Sequence, residues 1–144
     1  MKTVQALDQY LAGKGLSRSD EWLYILVGGA RIPYLPRAPF NHFLTVHDIH
    51  HMITGYSTGI RDEIYLIAWE LASGGWGRHT WWYFGKTIHV LLAFLHSPVG
   101  TWNALRTGFG QRNLYSFGLN ELLDMEYADV LLYIENGATR GVEA

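Results

Sequence analysis

Residues 41–75 run NHFLTVHDIHHMITGYSTGIRDEIYLIAWELASGG, and this stretch decides the fold. It contains two apolar patterns of helical period separated by a short turn with glycine in it. The first pattern extends from about Asn41 to Ile53 and stops at Gly55. The second begins near Thr58, places Ile60, Ile64, Ile67 and Leu71 on one stripe, and stops at Gly74–Gly75. A connection this short makes the two helices antiparallel neighbours, so groups on their facing sides can meet.

Outward from this pair the pattern stays helical. Val4, Leu7 and Leu11 mark a first amphipathic helix ending near Gly13 and Gly15. Ser17, Ser19 and Asp20 offer N-caps for a second, with Trp22, Ile25 and Leu26 inward and Gly28–Gly29 as its stop. Residues 31–40, RIPYLPRAPF, hold three of the four prolines and suggest an irregular loop. An aromatic helix follows the Gly74–Gly75 stop. Ser97–Pro98 is a cap followed by a first-turn proline and opens another helix through Trp102 and Leu105. Gly118–Asp124 and Tyr127–Glu135, with Gly137 after it, give two more. No stretch alternates with period two over a useful length. The expected class is all-α: one domain spanning residues 1–144, an irregular bundle of seven or eight helices.

Composition narrows the functional classes. The chain has 144 residues, 49% of them hydrophobic, with six Trp, nine Tyr and six Phe. A net charge of −2 and the lack of a basic cluster exclude nucleic acid as a partner. With no Cys there is no disulfide framework, thiolate site or cysteine nucleophile, in keeping with a reducing cytoplasm. The opening MKTVQALDQYLAGKG is amphipathic and has no unbroken apolar stretch of the signal-peptide kind. His79–Ser97, HTWWYFGKTIHVLLAFLHS, comes nearest to a membrane span, but it carries Lys86 and three His and is closed by Pro98. We expect a buried central helix there; the alternative is a helix lying at a bilayer interface, a zone that favours Trp and Tyr.

The chemistry gathers in VHDIHHM. His47 and His51 are four residues apart and project from one helix face, and Asp48 sits at the edge of that face. The next helix supplies Glu63, flanked by Ile60, Ile64 and Ile67. A buried carboxylate without a partner costs on the order of several kcal/mol, and no Lys or Arg shares that stripe. One divalent ion bound by His47, Asp48, His51 and Glu63 resolves the charge. The plainer alternative is a set of surface or helix-packing polar groups. His50 lies about 60° from His47 and about 100° from His51 on a helical wheel, beside the ligand set or exposed. Lys86, His89 and His96 form a polar stripe on the aromatic helix, expected to be solvated, with binding of a substrate anion as the alternative. His42 and His79 receive no role.

The run His47-Asp48-Ile49-His50-His51, followed by Glu63 after eleven residues, resembles the HDxxH-x11-E motif of the Coq4 family of ubiquinone biosynthesis. The surrounding HDIHHMITGYSTGIRDEIYLIAWELA is similar to that family's HDxxHxLTGY…GEIxLxAFELA stretch. TWNALRTGFGQRNLYSFGLNELLD, including Arg112, Asn113 and Leu114, resembles its AWxxGxxARNLxxxDWExLLD pattern. The likeness covers residues 43–135. It fails over the first forty residues, at Val46, at Leu119-Asn120-Glu121, where the family has Asp-Trp-Glu, and at Glu126, Tyr127 and Leu131 in the ending.

The resemblance implies a helical protein with a metal site beside an apolar cavity for a prenyl lipid. It also implies loss of the carboxyl group from carbon 1 of a prenylated hydroxybenzoate, with oxygen entering there. His47, Asp48, His51 and Glu63 would carry catalysis as well as the ion, with Zn first and Fe, Mn, Co or Mg as alternatives. The partners expected are a prenylated or aromatic acid, other quinone-biosynthesis proteins, and a peripheral contact at the inner face of a membrane, with pairing of two copies left open. The competing readings are a prenyl-lipid-binding scaffold that performs no chemistry, and an enzyme acting on another aromatic or polyketide acid.

Overall fold

The computed structural model describes residues 1–137. Helix α1 (Thr3–Gly13) buries Ala6, Leu7 and Leu11, the periodic face of its sequence. Next comes the main departure from expectation. Residues Trp22–Val27 and Ala30–Pro36 are not a helix and a loop but strands β1 and β2 of an antiparallel hairpin. Gly28 and Gly29, at φ 57° and 83°, form its two-residue turn rather than a helix stop. Positive φ at both central positions is what a type I′ turn needs, and Gly-Gly supplies it without strain. Pro33 is tolerated because a two-stranded sheet has only edges, and the ladder slips next to the Tyr24–Pro33 pair, leaving Tyr34 out of register. The molecule is therefore mostly helical with one small sheet, not purely all-α.

A short 3-10 turn (Ala38–Phe40) leads into α2 (Asn41–Thr54), which ends at Gly55 with φ 76°. Helix α3 (Ile60–Ala72) begins after a turn held by the Ser57 amide donating to Asp62 at 2.9 Å. These are the two helices anticipated from the sequence. Further along are α4 (Thr80–His96), α5 (Pro98–Phe109), α6 (Leu119–Asp124) and α7 (Tyr127–Glu135). Ser97 and Pro98 form the junction of α4 and α5, and the Tyr65 hydroxyl reaches Ser97 Oγ at 2.7 Å.

One apolar core runs through the helices, with Trp69, Trp76, Phe43, Leu66 and Leu114 almost wholly buried. Helices α3 and α5 approach closely at Gly108, where a Cβ would stand 2.6 Å from the Trp69 carbonyl oxygen. The aromatic helix does not occupy the centre. Only Val90 and Ala93 of α4 are buried, while Trp81, Phe84 and Leu95 are 83%, 76% and 84% exposed. The core is filled instead by the other helices and the Trp76 and Leu114–Tyr115 loops, which leaves α4 as an outer wall. No described helix is long and apolar enough to cross a membrane.

Candidate metal centre

Antiparallel packing of α2 and α3 aims His47 and His51 at one carboxylate. His47 Nε2 lies 2.8 Å from Glu63 Oε1, and His51 Nε2 lies 2.9 Å from Glu63 Oε2. Both histidines are buried and Glu63 is half-buried. Each ring is held from behind by its other nitrogen. His47 Nδ1 donates to Glu70 Oε1 at 2.9 Å, and His51 Nδ1 donates to the Tyr56 carbonyl at 2.9 Å. Those acceptors keep a proton on each Nδ1, so an ion that displaces the Nε2 protons would meet two Nε2 lone pairs aimed at the Glu63 side. One ligand atom from each of His47, His51 and Glu63 falls within 4.8 Å of the others, so this group can hold a metal ion. The donor set fits one: two imidazoles locked by outer acceptors, plus a carboxylate facing them.

Asp48 is placed differently. Its carboxylate takes a hydrogen bond from Arg37 Nη2 at 3.0 Å, with both side chains buried. It lines the same cavity but is not among the three residues whose ligand atoms converge. Burial pushes the Asp48 carboxyl above its ordinary value, and Arg37 opposes that shift. The cation that resolves this charge comes from the proline-rich segment just before α2, off the stripe on which a partner was sought.

Glu70 is the residue that sequence reasoning missed. It is fully buried and accepts from four groups: His47 Nδ1 at 2.9 Å, His50 Nδ1 at 2.7 Å, Trp76 Nε1 at 2.9 Å and the Tyr115 hydroxyl at 2.8 Å. Its spacing held a clue, since Glu70 is seven residues after Glu63 and therefore returns to the same side of α3. His50 is neither exposed nor idle. It sits at 0% exposure, donates through Nδ1 to Glu70, and accepts the Leu114 amide at Nε2 over 3.1 Å. Burial lowers the His50 pKa and leaves the ring neutral, as these bonds require.

The electrostatics are concentrated. Burial opposes charge on His47, but Glu70 and Glu63 outweigh it and raise its pKa to about 10. Burial likewise works against ionisation of Glu63 and Glu70, yet His47 and its neighbouring imidazoles hold both well below the usual carboxylate range. Burial first, then Glu70, pushes the Tyr115 hydroxyl well above its ordinary value, so it remains a donor.

The three convergent residues line a cavity of about 630 Å³. Leu16, Leu23, Ile64, Ile67 and Trp82 supply apolar wall, and Lys14, Arg31 and Lys86 bring positive charge to it. Lys86, expected in solvent, is half-buried on the cavity wall, whereas His89, at the cavity's edge, and His96 are exposed as expected. His42 and His79 pair at 2.9 Å, with His42 Nε2 donating to the Phe117 carbonyl. No family model, curated protein or solved structure matches the chain.

Proposed function

We propose that the chain is a metal-dependent enzyme of the Coq4 type, acting on an aromatic acid that carries an apolar or prenyl substituent. One observation carries the reading: His47 and His51 present two orientation-locked Nε2 atoms to Glu63 on the wall of a largely apolar cavity. Three protein ligands leave positions open for substrate, which distinguishes catalytic from closed structural sites. A bound divalent ion, Zn foremost and Fe, Mn, Co or Mg as alternatives, would supply Lewis acidity toward the acid's carboxylate or phenolate.

The chain's own residues do the rest. Ile64, Ile67 and Leu23 exclude water from the substituent. Glu70 and the Tyr56 carbonyl keep the two imidazoles aimed. In simple decarboxylation the bond from ring carbon to carboxylate breaks, carbon dioxide leaves, and the electron pair stays on the ring carbon and takes up a proton. Replacement of the carboxyl by hydroxyl is a two-electron oxidation. With dioxygen as the two-electron oxidant and one water consumed, the step balances on release of carbon dioxide and hydrogen peroxide.

The exposed face of α4 supports a contact with a membrane surface at the inner leaflet, where a prenylated substrate would reside, and where other quinone-biosynthesis proteins could meet it. A prenyl-lipid scaffold using the same cavity is the second reading, since volume and apolar lining serve retention as well as turnover. The test is elemental analysis of untagged protein prepared without chelators. We expect near-stoichiometric divalent ion in the wild type, loss in His51→Ala and Glu63→Ala, and retention in Asp48→Asn. A wild type that takes up no ion after incubation with Zn, Fe, Mn, Co or Mg would defeat the metal reading. Protein that binds ion and lipid but converts no aromatic acid would favour the scaffold.

A further inference from the structure

The cavity holds a cation whose charge no carboxylate among the described residues answers. Lys86 projects from α4 into the cavity wall and is half-buried. Its Nζ lies 5.6 Å from the Trp82 ring centroid and 5.9 Å from that of Phe43. Phe43 in turn stacks on the His47 imidazole, with centroids 6.0 Å apart and planes 9° from parallel. Among the described residues Lys86 forms no ion pair, and both carboxylates lining the cavity are committed elsewhere: Asp48 to Arg37, and Glu63 to His47 and His51. Aromatic faces attract an ammonium group and can hold it in place, but they do not neutralise it. A partly desolvated cation kept beside an apolar pocket without a counter-ion is poised for an anion brought by the ligand.

Lys14 and Arg31 repeat the pattern from two other elements, lying over Tyr10 and Tyr24. Both are exposed, so water and salt screen them more than Lys86. We propose that Lys86 determines the specificity of the cavity, selecting amphiphiles with a negatively charged head group over neutral ones of the same chain length. This rests on reading the cavity as the substrate site, but it does not require the ion, because Lys86 is not a metal ligand.

The test compares binding of dodecanoate and dodecanol at pH 7.5 by the Zn-treated and chelator-treated full chain. The wild type should prefer dodecanoate by about tenfold, the scale of a single charge-assisted contact, with or without Zn. Lys86→Met keeps the apolar stem and should bring the ratio close to one while leaving dodecanol affinity unchanged. Lys86→Arg should restore the preference. A preference that survives Lys86→Met, that is absent from the wild type, that Lys86→Arg fails to restore, or that exists only with Zn would overturn the proposal. Failure of the metal reading has a separate signature: no Zn in the protein, yet an intact preference for the anion.

Discussion

Four donors on one carboxylate make Glu70 the residue on which the site's geometry depends. Glu70→Gln keeps the shape but removes the charge and turns one acceptor into a donor that meets other donors. Ion affinity should fall by about 10- to 100-fold, the usual effect of losing such an orienting partner, while His47 and His51 remain in place. Metal titration of folded variant and wild type checks this. His47 adds a pH signature. Its pKa rises from 6.5 to about 10 on folding, so its contribution to stability is complete below pH 6.5 and disappears as pH climbs toward 10. Glu63 and Glu70 run the other way: their folded pKa values lie well below 4.5, so what they add is present above that pH and lost on acidification. Chelator-treated protein should therefore melt at lower temperature at pH 9.5 than at pH 6.5. Zn-loaded protein should lose less, because the ion takes the place of the Nε2 protons and binds better as pH rises. Melting curves in both conditions decide it.

At the scale of elements, α2 and α3 were legible because polar and apolar positions kept a helical period and glycine closed each pattern. The hairpin was not. Trp22–Val27 is a six-residue apolar run with no period of its own, and its Gly-Gly turn is also a respectable helix stop. The prolines of β2 disguised a strand that tolerates them at an edge. Arg37 and Glu70 stayed hidden for a related reason, since their partners depend on tertiary placement of a loop end and of the Trp76 and Tyr115 side chains. Two predictions belong here. Gly108→Ala puts a methyl group 2.6 Å from the Trp69 carbonyl and 2.8 Å from Ala72 Cβ, and should cost about 1–3 kcal/mol in chemical denaturation. On α4, Phe84→Glu with Leu95→Glu should abolish co-sedimentation with anionic phospholipid vesicles while leaving ion content and melting temperature unchanged. If the same pair instead converts a dimer to a monomer in sedimentation velocity, that face joins two copies of the chain.

Seen whole, the cavity draws on the segment just after α1, the hairpin and helices α2 to α4, so its lining is scattered from Lys14 to His89. No local pattern in the sequence outlines such a volume; only the metal-ligand spacing marked one wall of it. The chain's beginning is tied to its far end. The Thr3 amide donates to the Met125 carbonyl, the Tyr127 amide to that of Met1, and the terminal ammonium lies 2.9 Å from Glu126. This clasp sets α1, and the cavity residues just beyond it, against the remainder of the fold. The Trp76 indole meanwhile donates to the same Glu70 carboxylate that steadies His47. Its N–H is thus two hydrogen bonds from the His47 Nε2 atom where an ion would bind. In a nitrogen-15 correlation spectrum the indole protons stand apart from the amide crowd, and Trp76 should move on titration with Zn while Trp69, which donates to Gln111, stays put. The molecule carries its own resonance for reading occupancy of the site, with no foreign reporter group attached to it.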